Sequence, residues 1–103
     1  MIDKELLELS AKAAGIETYW WPLDEPIFLR LKENNERWHP LKDDDSALRL
    51  AVKLQIMVEP YDDTVYCYYS MSEGHFSEPT TDDPYAATRR AIVRAAAEIG
   101  KAM

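Results

Sequence analysis

A chain of 103 residues with 47% apolar and 30% charged side chains is long enough for one hydrophobic core and too short for two, and this composition excludes a disordered polymer. Its net charge of −7 weighs against nucleic-acid binding, because such affinity comes largely from Lys and Arg neutralising phosphates. A lone cysteine, Cys67, excludes an intramolecular disulfide and a cysteine-cluster zinc site. With no apolar run near the roughly 20 residues of a membrane span, and acids where a signal peptide needs positive charge, a cytoplasmic setting is expected.

From Asp3 to Ala14, Leu6, Leu9 and Ala13 recur at helical spacing, with Asp3 placed to cap and Gly15 placed to terminate. Ile2 and Leu7 have the spacing of a hydrophobic staple. IETYWWP has strand character up to Pro22, and Ile27 to Lys32 alternates apolar with polar. Asn34 and Asn35 tolerate positive φ, so the chain turns back there into a short third strand.

The acids Asp43, Asp44 and Asp45 open a second helix near Asp44, with Ala47, Leu48, Leu50, Ala51 and Leu54 as its apolar face. QIMVEP and TVYCYYSMS then flank the turn Tyr61-Asp62-Asp63, and in the latter Val65, Cys67, Tyr69 and Met71 alternate with Tyr66, Tyr68 and Ser70. Gly74 breaks that strand, and SEPTTDD reads as a polar connector. Asp83 as cap and Pro84 at the first helical position open an alanine-rich helix reaching about Ile99. Its buried stripe reads Tyr85, Thr88, Ile92, Ala95 and Ile99, with Arg89, Arg90, Arg94 and Lys101 on a basic outer face. The predicted order is α-β-β-β-α-β-β-α in one domain spanning 1–103, an α+β layered sandwich with mainly antiparallel strands.

Two segments, WHPLKDDDSALRLAVKLQIMV from Trp38 and DPYAATRRAIVRAAAEIG from Asp83, resemble the phage ABA-sandwich domain family of small tailed-phage and prophage proteins. In that family a Trp-x-Pro-Leu plus acidic cap opens the central helix, and an Ala-Thr-Arg-Arg-Ala-Ile helix closes the chain. The resemblance covers roughly the C-terminal two-thirds and does not extend over residues 16–37. His39 and Lys42 stand where the motif carries other polar residues. It implies helices against a central sheet and a phage genome as origin, and brings no activity, cofactor or catalytic residue to transfer.

The acids have backbone reasons to be where they are. Asp43-Asp44-Asp45 lacks the spaced ligands and glycine of a calcium loop, and Asp62-Asp63 and Asp82-Asp83 sit at a turn and a cap. His39 and His75 belong to no metal motif. Ser70 with His75 and an aspartate has no nucleophile elbow around it, so no catalytic, metal or cofactor-binding residue is assigned.

The surplus of large aromatics is more informative. Tyr19, Trp20, Trp21, Trp38, Tyr66, Tyr68 and Tyr69 exceed what one inward sheet face accommodates. They are core if both faces of the sheet are covered, and otherwise form a protein-binding patch. Arg89, Arg90 and Arg94 form either a clamp for an acidic group or a solvated helix face, with Arg94 paired to Glu98.

The candidate interaction surface is therefore Tyr19, Trp20, Trp21, Tyr66, Tyr68, Arg89, Arg90 and Arg94. The expected activity is non-enzymatic: an accessory protein, acting in the host bacterial cytoplasm, that binds a host or phage protein. No membrane partner and no direct nucleic-acid binding at physiological salt are expected, because the body repels phosphate beyond what the four cations of the last helix recover. The alternative is an acidic body that imitates DNA and blocks a basic surface. A small enzyme or ligand-binding protein using His39 or His75 stands behind both.

Overall fold

The computed structural model describes residues 2–21, 29–69 and 74–103. Helix α1 runs Asp3–Ala14 and starts from an extended Ile2 with no side-chain cap. Asp3 is thus the first helical residue and not the cap; its carboxylate accepts from both terminal nitrogens of Arg90 (3.1 and 2.8 Å). The staple does not form either, since Ile2 is exposed while Leu7 is buried. Gly15 closes the helix at φ 68°, its N–H bonding to Lys12 O while the Ile16 N–H returns to Ala11 O.

Three short antiparallel strands follow: β1 (Thr18–Trp20), β2 (Leu29–Leu31) and β3 (Arg37–Trp38). The start of the expected Ile27–Lys32 strand lies outside the described residues, as does Pro22. Asn35 takes φ 64° and Asn34 Oδ1 accepts from Glu36 N–H (3.0 Å), which makes the expected turn between β2 and β3. Leu29 pairs with Trp38 in register, and both enter the core.

Helix α2 (Asp44–Leu54) is capped by Asp43, whose carboxylate accepts from the Ser46 N–H (3.3 Å) and hydroxyl (2.7 Å). Those bonds favour the ionised acid and hold its pKa below the ordinary aspartate range. The buried arc is narrower than expected. Ala47, Leu50 and Ala51 face inward, whereas Leu48 stands roughly 100° round the helix from Ala47 and is exposed, as is Val52.

The helix ends on Gln55 in the left-handed region, φ 55°. A side chain there costs about 1 kcal/mol that glycine does not incur. Gln55→Gly is therefore expected to stabilise the protein by up to about 1 kcal/mol, read as a higher urea midpoint.

The second sheet is β4 (Met57–Pro60), β5 (Thr64–Tyr68) and β6 (His75–Pro79), antiparallel throughout in the order β4-β5-β6. Tyr61 N–H to Thr64 O (2.8 Å) closes the β4–β5 turn. β6 replaces the start of the expected polar connector. Its alternation carries one apolar residue inward, Phe76, with Glu78 beside it, so composition hid a strand that pairing with β5 supports. Among the described residues, six strands in two sheets thus stand in place of the single central sheet that the resemblance implied.

Helix α3 (Pro84–Lys101) begins as expected: Asp83 accepts from the Tyr85 and Ala86 N–H groups, and Pro84 occupies the first turn. It is the element around which the rest is arranged, packing on α1 most extensively and also on α2, β5 and β6. Ala91, Ile92, Val93, Ala95, Ala96, Ala97 and Gly100 are buried, covering about two-thirds of its circumference at roughly 100° per residue. Small side chains permit partners on so many sides. Tyr85 is not part of that stripe; it is 70% exposed, in a first turn where Asp82, Asp83 and Pro84 are exposed as well.

Among the described residues no helix is long and apolar enough to cross a membrane. Cys67 is fully buried on β5, and desolvation pushes its thiol up to about 11. Native Cys67 should resist maleimide at pH 8 and react on unfolding. A raised pKa keeps the folded thiol protonated after the unfolded one ionises, so this contribution is intact below the ordinary value of 9.0 and is lost as pH rises through about 11.

Candidate interaction face

Register decides which side chains of the second sheet meet solvent. Met57 opposes Tyr68, Glu59 opposes Tyr66, Tyr66 opposes Ser77 and Tyr68 opposes His75, and successive residues point to opposite faces. Val58, Val65, Cys67, Phe76 and Glu78 therefore face α3, and Met57, Glu59, Tyr66, Tyr68, His75 and Ser77 face away from it. Burial agrees: Val65 and Cys67 have no exposure, the two tyrosines are half-buried, and Met57, His75 and Ser77 are exposed.

The outward rings form one cluster. Tyr66 and Tyr68 lie 6.4 Å apart at 20°, with His75 6.0 Å from Tyr66 and 5.8 Å from Tyr68. Tyr61, just past β4, presents its ring perpendicular to Tyr66 at 5.6 Å. Its hydroxyl donates to the Glu59 carboxylate, and this bond, reinforced by the negative charge of Glu59, raises the Tyr61 pKa. Such cross-strand ring contacts hold the aromatic side chains upright on the sheet.

The residues singled out from sequence separate into distinct places. Tyr66 and Tyr68 belong to this cluster. Tyr19 and Trp21 meet edge to face (6.2 Å, 76°) on the outer side of the first sheet, where the Arg30 guanidinium lies 5.8 Å from the Trp21 ring. Trp20 turns the other way, packing against the core with its indole N–H donating to Glu8 (3.2 Å) and Lys4 over its ring.

The three arginines are engaged inside the fold. Arg89 donates to Leu41 O (2.9 Å) and Asp44 (2.5 Å), joining α3 to α2; Arg90 reaches Asp3 on α1. Arg94 pairs with Glu78 on β6 and lies 4.4 Å over the Phe76 ring, so its acid comes from the sheet and not from Glu98. A carboxylate turned toward the helix layer needs that countercharge more than an exposed helical one does.

Sequence reasoning missed Tyr61, Met57 and His75 as members of the outer cluster. The odd-even alternation of β5 already marked Tyr66 and Tyr68 as a shared face, but His75 joins them only once β6 is recognised as a strand.

His75 stands among rings, and Ser70 lies outside the described residues. His39 is half-buried near Asp3, Lys4, Leu7 and Trp20, where burial and the charge of Lys42 lower its pKa and favour the neutral ring. Among the described residues no three His, Cys, Asp or Glu side chains converge as metal ligands. A cleft of about 480 Å³ beside α2 is lined by Leu31, Trp38 and Leu50 together with Glu36, Arg49 and Lys53, a mixture of charge, and the Ser46 hydroxyl on its wall is spent on the Asp43 cap. Comparisons with family models, with curated proteins and with solved structures found no match.

Proposed function

We propose that the protein is a non-enzymatic protein-interaction module whose docking surface is the outer face of β4-β5-β6. The observation that carries this reading is the connected cluster of Tyr61, Tyr66, Tyr68 and His75 held outward by strand register. Tyrosine supplies large, rigid contact area at low entropic cost, and aromatic side chains dominate binding energy at protein interfaces. A phage or prophage accessory role toward a host or phage protein is what the family resemblance adds.

Imitation of DNA has less support. Asp3, Asp44, Asp45 and Glu78 are each matched to an arginine, which leaves a patchwork of charge around the helices in place of a phosphate-like array. Three of these pairs occupy Arg89, Arg90 and Arg94 of α3, which a nucleic acid would need.

Immobilised protein is expected to retain a specific partner from host lysate, and the Tyr66→Ser/Tyr68→Ser double variant to lose it with little change in melting temperature. Equal retention by the variant would place the docking surface elsewhere. Fluorescence anisotropy with DNA and RNA at about 150 mM salt, a Debye length near 8 Å, should show no saturable binding.

A further inference from the structure

Resting on that reading, we propose that the face takes a cationic segment of its partner protein, with arginine side chains lying on Tyr66 and Tyr68. Between Lys53 and Arg89 the sequence contains seven Asp and Glu residues and no Lys or Arg. That interval supplies all three strands of the sheet, so no cation of the sheet itself accompanies the rings. Glu59 stands beside Tyr66 across the strand pair, and Asp62 and Asp63 form the adjoining turn. The face therefore offers π clouds inside a negative field.

A ring face attracts a cation, and a guanidinium adds planar stacking that an ammonium lacks. The protein uses this contact on the other side of the same sheet, where Arg94 covers Phe76 at 4.4 Å while bonded to Glu78. The outer face repeats its elements, an aromatic side chain beside a carboxylate, with no arginine from β4, β5 or β6 to complete it.

Other occupants fit the charge less well. A nucleic-acid strand also stacks on tyrosine, but its phosphates meet Glu59, Asp62 and Asp63 with the same sign. A second copy of this face brings the same acids against themselves, and an acidic peptide fares no better. An arginine-bearing stretch satisfies rings and carboxylates together.

The test is an amide-detected NMR titration at about 150 mM salt, where only charges within about 8 Å contribute strongly. The probe is an acetylated, amidated arginine–glycine repeat peptide, compared with the same peptide carrying citrulline, a neutral isostere, in place of arginine. Perturbation is expected at Tyr66, Tyr68, His75 and their strand neighbours. Affinity should fall roughly tenfold in the Tyr66→Ser/Tyr68→Ser variant and by a similar factor with citrulline, and to a smaller degree with Glu59→Gln.

Equal binding of the citrulline peptide, or perturbation centred on Asp43 to Asp45, would overturn the assignment. If the double variant loses its lysate partner while the arginine peptide leaves β5 and β6 unperturbed, the cationic assignment fails and the interaction reading stands. If the peptide maps to β5 and β6 and the variant still retains the lysate partner, the cationic assignment holds and the reading of that partner's docking site fails.

Discussion

Gly100→Ala is expected to destabilise the protein, although helix propensity alone gives the opposite sign. Alanine in a helix interior is favoured over glycine by about 1 kcal/mol. A Cβ at Gly100, however, falls 2.1 Å from the Leu9 carbonyl oxygen and 2.9 Å from its carbon, and these are backbone atoms of α1 that cannot rotate away. Relief requires α1 to lift from α3 across the most extensive helix contact in the fold. Overpacking of this kind costs about 1–3 kcal/mol and sometimes more, so after the propensity gain of about 1 kcal/mol a net loss of up to about 2 kcal/mol is expected, and a larger one for Gly100→Val. Urea denaturation followed by circular dichroism decides the sign. A stabilised Gly100→Ala would mean that the last turn of α3 does not approach α1 so closely.

Trp38→Ala is expected to cost about 3–5 kcal/mol, the usual range for deleting a buried aromatic side chain. Trp38 is 5% exposed on a strand of only two residues, opposite Leu29. Without the indole, β3 retains little to hold it against the core. Trp21→Ala removes the same number of atoms from the outer face of the same sheet, where the side chain is 37% exposed and rests on Tyr19. A cost below about 1 kcal/mol is expected there. Since domains of this size are stable by about 5–15 kcal/mol, Trp38→Ala should sit close to the unfolding threshold and Trp21→Ala should not. Comparable urea midpoints for the two variants would contradict the assignment of core and surface.

What the sequence discloses depends on whether a feature is local. The starts of α2 and α3 are readable because Asp43 and Asp83 act on N–H groups two or three residues away, and Pro84 and Gly15 act on their own φ. The strand β5 is readable because Val65 and Cys67 are apolar and their neighbours are not wholly so. β6 is not, since a strand with inward Phe76 and Glu78 declares itself only through β5 on one side and Arg94 on the other. Both lie outside any short window. Periodicity points Tyr85 and Leu48 inward because it reports amphipathicity without saying how far a partner extends along or around a helix. The interaction face was half legible: Tyr66 and Tyr68 follow from alternation, whereas Tyr61 and His75 enter through turn geometry and pairing. The arginines of α3 were visible as charges, but their acids lie on α1, α2 and β6, and only the tertiary arrangement assigns them.

The position of α3 along the chain has a consequence for biosynthesis. Residues 84–101 are translated after α1, α2, β5 and β6, yet all four pack on them, and the links from Arg89, Arg90 and Arg94 wait for them too. At elongation rates of about 5–20 residues per second, the preceding segments emerge from the ribosome with Leu6, Leu7, Leu50 and Val65 still lacking the surface that covers them. A chain that stalls before Ala91 leaves those side chains uncovered and open to proteolysis, whereas one that has passed Gly100 can cover them. Commitment of α1, α2, β5 and β6 to their native packing therefore waits for α3, however early each of them could form on its own.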